Sequence, residues 1–157
     1  MNSLTVSLAI LLTATAVSSY ATDDSFSIVP QIFVGTSRFE PGLAMEYRPA
    51  GEKRLIVRPE AFISEDGRLG AGGSVLWDIG SFAQLPDRQF LAIGPRAVYH
   101  NSDDHGWEVD AAGVYGFDLR IDQPWRHSLE ALAAAGVVHD RKHNDSEFGI
   151  SVGGAYA

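Results

Sequence analysis

Trp107-Glu108-Val109-Asp110-Ala111-Ala112-Gly113-Val114-Tyr115-Gly116-Phe117-Asp118-Leu119-Arg120-Ile121 alternates in character along its length. Trp107, Val109, Ala111, Gly113, Tyr115, Phe117, Leu119 and Ile121 form an uncharged set. The interleaved set carries Glu108, Asp110, Asp118 and Arg120. Successive side chains of a strand point to opposite faces, so the stretch predicts one strand with an apolar and a polar face. It is longer than a typical globular strand and long enough to cross a bilayer at a tilt.

The same alternation recurs on both sides. Seven further strands are expected over Ser27–Gly35, Gly42–Arg48, Arg54–Ser64, Leu69–Ile79, Gln89–His100, His127–His139 and Ser146–Ala157. Turns are expected at Thr36–Pro41, Pro49–Glu52, Glu65–Arg68, Gly80–Arg88, Asn101–Gly106, Asp122–Trp125 and Asp140–Asp145. Pro59 removes a ladder donor inside its strand, which predicts a bulge or a local gap in pairing. Leu129–Ala135 taken alone suits a helix, but its neighbours argue for a strand. Short connections make neighbours antiparallel, and an even number of such strands can close and remove its edges. The expected fold is an all-β, eight-stranded antiparallel up-and-down barrel that spans a membrane.

Met1–Ala21 has the layout of a secretory signal peptide. Leu8–Val17 is an apolar core, Ser19-Tyr20-Ala21 presents small residues for cleavage, and acidic residues follow at once. The n-region has no Lys or Arg, and the alternative is a short helix that stays attached. The barrel domain is then 22–157. The chain has no cysteine, so disulfides and thiolate metal sites are excluded. A formal charge of -8 argues against nucleic acid as a partner.

Which face turns inward separates two barrels: a soluble one holding an apolar ligand, and a membrane one with a polar interior. The polar face carries Glu46, Arg48, Arg58, Glu60, Asp78, Arg96, Glu108, Asp110, Asp118, Arg120, Glu130 and Glu147, and both signs allow pairing across the lumen. The aromatics sort into two belts. Tyr47, Trp77, Tyr115, Phe117 and Tyr156 fall near one end, and Tyr99, Trp107 and Phe148 near the other. Aromatic rings favour the two interfaces of a membrane, and a soluble core has no reason to sort them, so the membrane barrel is the leading expectation.

In this pattern the chain resembles the small eight-stranded outer-membrane β-barrels of Gram-negative bacteria, the OmpA/OmpX-like class. Phe148-Gly149-Ile150-Ser151-Val152-Gly153-Gly154-Ala155-Tyr156-Ala157 is similar to that class's terminal strand, but ends on Ala157 where the class has an aromatic. Leu91–Gly116 resembles the YfaZ-type outer-membrane proteins. The resemblance implies an outer-membrane location reached through a cleavable signal. It also implies a monomer with outer-membrane lipid and lipopolysaccharide as surroundings, and barrel-assembly machinery and periplasmic chaperones as partners during biogenesis.

A barrel of eight strands is just wide enough for side chains to fill, so the polar face predicts an ion-pair network rather than an open pore. A charge-lined gated channel is the sharper alternative. The lipid-A deacylase branch of small barrels resembles a His-x-Ser pair with a distant Glu. Here His127 and Ser128 are adjacent and point to opposite faces, and Glu130 shares Ser128's parity. A relay needs hydrogen-bond reach among all three, so no catalytic residue is assigned, and a lipid A-modifying enzyme stays the alternative. Asp103, Asp104, His105, His139, Asp140, His143 and Asp145 line the outer loops without a fixed ligand spacing, so neither a metal nor a cofactor is assigned. The expected function is non-enzymatic, structural or envelope-associated.

Overall fold

A computed structural model describes residues 19–20, 25–35, 38–49, 52, 54–64, 67–86, 88–101, 105–122 and 125–156, without the side chains of 19, 20, 25, 38, 105, 118, 120–122 and 125–127. The expected leader lies outside the described residues, apart from the two-residue strand β1 (Ser19–Tyr20). Eight strands follow: β2 (Ser25–Gly35), β3 (Arg38–Arg48), β4 (Leu55–Ile63), β5 (Leu69–Asp78), β6 (Gln89–Tyr99), β7 (His105–Asp122), β8 (Trp125–Asp140) and β9 (Asp145–Tyr156). Each pairs antiparallel with the next, and β9 returns to β2, so the sheet closes into the expected up-and-down barrel. Leu129–Ala135 is strand throughout, because pairing with both β7 and β9 overrides its helix propensity.

Proline placement shapes the ladders. β3 and β4 pair at Ala44–Glu60 and again at Tyr47–Val57 in unchanged register, leaving the expected gap at Pro59. Pro95 does the same between β5 and β6, where pairing lapses between Ser74–Arg96 and Trp77–Ile93. Thr36–Pro41 corrects the sequence reading, because only residues 36 and 37 separate β2 from β3. Pro41 is tolerated in β3 because the β3–β4 ladder starts only at Gly42.

The faces divide as the alternation implies. Leu43, Met45, Val75, Ile93, Val109, Leu129, Val137, Ile150 and Val152 are exposed on the outer surface. Arg58, Glu60, Arg96, Glu108, Asp110 and Glu130 are buried inside. The interior is not wholly polar. Val29, Ile56, Leu76, Phe90, Ala92, Val114 and Leu132 belong to a buried apolar cluster beside the charges. Two inward glycines make room for rings: a Cβ on Gly116 would stand 2.0 Å from the Phe90 ring, and one on Gly70 would stand 2.2 Å from the Phe62 ring.

The two ends differ. β7 and β8 run 18 and 16 residues. β2 meets β9 only from Gly35–Ser151 to Gln31–Ala155. The β8–β9 hairpin therefore projects past the point where the barrel closes.

Candidate functional site: the barrel interior

Every second residue of β3, β4, β6, β7 and β8 enters the lumen, and the charged ones meet there. Arg58 donates to Glu130 Oε2 at 2.7 Å and to Gln31 Oε1 at 3.1 Å. Gln31 donates in turn to Glu60 Oε2 at 2.6 Å. Glu60 Oε1 accepts from Arg96 Nε at 2.6 Å. The same guanidinium reaches Asp110 at 2.8 Å and Glu108 at 3.4 Å. Glu108 Oε2 then lies 3.0 Å from His100 Nε2, and the other ring nitrogen lies 3.1 Å from Glu40. At the opposite end Glu46 accepts from Arg48 Nε at 2.7 Å and stands 3.6 Å from Arg58.

One connected network thus runs from Glu40 near the loop end to Arg48 near the turn end. Rings pack against the network: Arg96 lies 4.8 Å from the Phe33 centroid and Arg48 4.9 Å from that of Phe90, and the Phe62 ring packs on that of His100 at 5.1 Å. The network sets Arg48, Arg58 and Arg96 against Glu40, Glu46, Glu60, Glu108, Asp110 and Glu130. Charges removed from water to this degree hold together only through such pairing, which ties together the strands that carry them across the barrel interior.

The expected interior residues Glu46, Arg48, Arg58, Glu60, Arg96, Glu108, Asp110 and Glu130 all meet here. Two others do not join the buried network. Asp78 sits half-buried at the turn end and accepts from the Gly80 amide at 2.8 Å. Glu147 has inward parity opposite Val138 but is exposed, because β2 is too short to flank β9 at that height. Arg48 joins the network at its turn end, where its side chain is only partly covered. Asp118 and Arg120 lie outside the described side chains.

Gln31, Glu40 and His100 complete the network and were not among the expected site residues. Glu40 falls within the expected Thr36–Pro41 turn, although it keeps the even parity of Ala44 and Glu46. Gln31 hides between two apolar inward residues, Val29 and Phe33.

Ser128 Oγ donates to Glu130 Oε1 at 3.3 Å, both inside the barrel, while the His127 side chain lies outside the described residues. Glu130 is already engaged by Arg58, so this pair holds a hydroxyl in place. Of the loop residues, His139 stacks on Trp107 at 5.4 Å and Asp145 accepts from the Ser146 amide. His143 Nδ1 lies 2.6 Å from Asp140. The hydrogen bond from His143 holds Asp140 down at about 2, and the same contact raises His143 above its ordinary value. Asp103, Asp104 and the His105 side chain lie outside the described residues. Among the described residues no group of three or more His, Asp or Glu is placed to hold a metal ion.

The expected belt residues Tyr47, Trp77, Tyr99, Trp107, Tyr115, Phe117 and Phe148 are exposed on the outer face, and Tyr156 is half-covered. Phe117, Leu129 and Tyr156 align across three strands at one end, and Tyr99 pairs with Trp107 at the other. Compared with protein-family models, curated proteins and solved structures, the chain matches none.

Proposed function

We propose that this chain is a non-enzymatic outer-membrane barrel with a structural or envelope-associated role, its lumen closed by the ion-pair network. One observation carries the reading: the barrel buries its charges and exposes its aliphatic and aromatic side chains. In water that arrangement reverses the hydrophobic effect, which favours removing apolar area from solvent. In a bilayer it is the stable one. The dimensions agree. Trp107 to Phe117 extends ~34 Å at about 3.4 Å per residue, or ~26 Å in height at a tilt of about 40°. That matches an apolar band of about 25 Å flanked by aromatic girdles.

The finer parts of the proposal follow from the same reading. They are a monomer surrounded by outer-membrane lipid and lipopolysaccharide, delivery by a cleaved signal peptide and periplasmic chaperones, and insertion by barrel-assembly machinery acting on β9. The absence of enzymatic activity belongs to the proposal as well. Its support is that Ser128 and Glu130 face the closed interior, away from any lipid substrate.

Nitroxide labels at alternate positions of β7 test it after refolding into phospholipid vesicles. Labels at 109, 111 and 113 are expected to be accessible to oxygen and shielded from water-soluble nickel reagent. A monodisperse, detergent-free soluble protein with water-accessible labels at those positions overturns the proposal.

A further inference from the structure

On the outer face of β5 to β9 the side chains thin out. Gly113, Ala133 and Ala135 floor an open groove of about 750 Å³, with Trp77 and Ile150 among the larger side chains lining it. Its lining is almost entirely apolar. The strands that floor this groove rise toward the loop end, where the outward side chains change character. Trp107 stacks on His139 with ring centroids 5.4 Å apart, an interplanar angle of 12°. Beside them Arg141 lies over the Tyr99 ring, 5.0 Å from its centroid, and donates to the Tyr99 hydroxyl. Gly106 lets the Arg141 stem cross β7, since a Cβ there would stand 2.9 Å from Arg141 Nε. Among the described residues no carboxylate pairs with the Arg141 guanidinium. The nearest acid in sequence, Asp140, is engaged by His143 and by the amides of Lys142 and His143.

We infer that this face holds one phosphorylated acyl lipid, its chain in the Gly113–Ala133 groove and its phosphate on Arg141 above Tyr99 and Trp107. The inference rests on the membrane reading above. Two independent features point to the same ligand. The groove takes a flexible apolar chain and offers it no polar partner. The guanidinium lies at the level of the aromatic belt, where headgroups sit, and its planar donors match phosphate oxygens. Held over the Tyr99 ring, the guanidinium has no carboxylate partner among the described residues. Lys142 is adjacent in the same turn. A lipid with a zwitterionic headgroup would fill the groove equally well but would gain less from Arg141, so headgroup selection is the property that distinguishes a site from ordinary solvation by lipid.

The test uses spin-labelled lipids. Full-length protein is refolded into phosphatidylcholine vesicles carrying a trace of chain-labelled phosphatidic acid or chain-labelled phosphatidylcholine. The motionally restricted fraction of each probe is read by electron spin resonance. Wild-type protein is expected to favour phosphatidic acid by about fivefold, the worth of one basic residue at a membrane surface. Arg141→Gln is expected to bring the two probes to parity while still restricting both. Gly113→Leu fills the groove from a position where an added Cβ meets nothing closer than 3.9 Å, so the backbone has room for a side chain there. It is expected to lower the restricted fraction of phosphatidic acid.

Equal restriction of both probes by wild-type protein overturns this site and leaves the membrane reading standing. A preference that survives Arg141→Gln also overturns it. No restriction of either probe removes the membrane reading itself. Mass measurement on the same samples covers the remaining occupant: a dimer that Gly113→Leu dissociates would assign the groove to a second copy and overturn the lipid.

Discussion

Arg96→Met tests whether the lumen is closed. The substitution keeps most of the side-chain volume and removes the cation. Arg96 stands 2.6 Å from Glu60, 2.8 Å from Asp110 and 3.4 Å from Glu108, and its side chain is 4% exposed. Removing one partner of a buried pair costs about 3–5 kcal/mol, because the remaining charge loses its compensation. Here three carboxylates lose one guanidinium, so the expected loss lies near 5 kcal/mol. The cation over Phe33 adds to the same side. Urea unfolding in detergent, followed by tryptophan fluorescence, reads this as a lower midpoint with an unchanged slope. Adding Glu60→Gln removes one stranded charge, and Gln31 remains in place beside it. The double variant is therefore expected to recover about 1–3 kcal/mol of the loss. A loss below about 1 kcal/mol for Arg96→Met would refute the reasoning. That is the worth of a solvent-exposed pair, and it would mean that water fills the lumen and screens the charges.

Two further perturbations probe other parts of the molecule. Gly136→Ala places a Cβ 2.1 Å from the Val109 carbonyl and 2.6 Å from Asp110 Cα, so β7 and β8 must part; the same urea assay is expected to show a loss of about 1–3 kcal/mol. Asp140→Asn should return the His143 imidazole to its ordinary titration range, read by proton NMR of the ring. The pair's contribution to the β8–β9 turn has a defined window. His143 is raised, so its share is complete below about 6.5 and fades as pH rises through the elevated value. Asp140 is depressed, so its share is present above about 3.8 and fades as pH falls toward about 2. Order in the turn should therefore peak between these limits, and an unshifted His143 in wild-type protein would contradict the pairing.

Alternation made the strands and their two faces legible, because a period of two is a property of the backbone alone. It also identified most of the lumen: Arg58, Glu60, Arg96, Glu108, Asp110 and Glu130 share the parity that faces inward. It failed where parity was masked by local chemistry. Pro41 gives residues 36–41 the character of a turn and hides the parity of Glu40, and Gln31 sits between apolar inward neighbours, Val29 and Phe33. Glu147 had the right parity at the wrong height, since parity says nothing about where a neighbouring strand ends.

Strand count, most turn positions and the two faces of each strand are thus set by the order of residues, through interactions between near neighbours along each strand. Three things were settled only by closure of the barrel. One is the direction of the polar face, which depends on the sense in which the sheet curls. Another is the partner of each charge, since Arg58 and Glu130 are 72 residues apart and meet only across the lumen. The last is the outer groove with Arg141 above it, which requires small residues from separate strands to fall side by side. Each depends on distances between chain-remote residues, and a one-dimensional pattern holds no such distances.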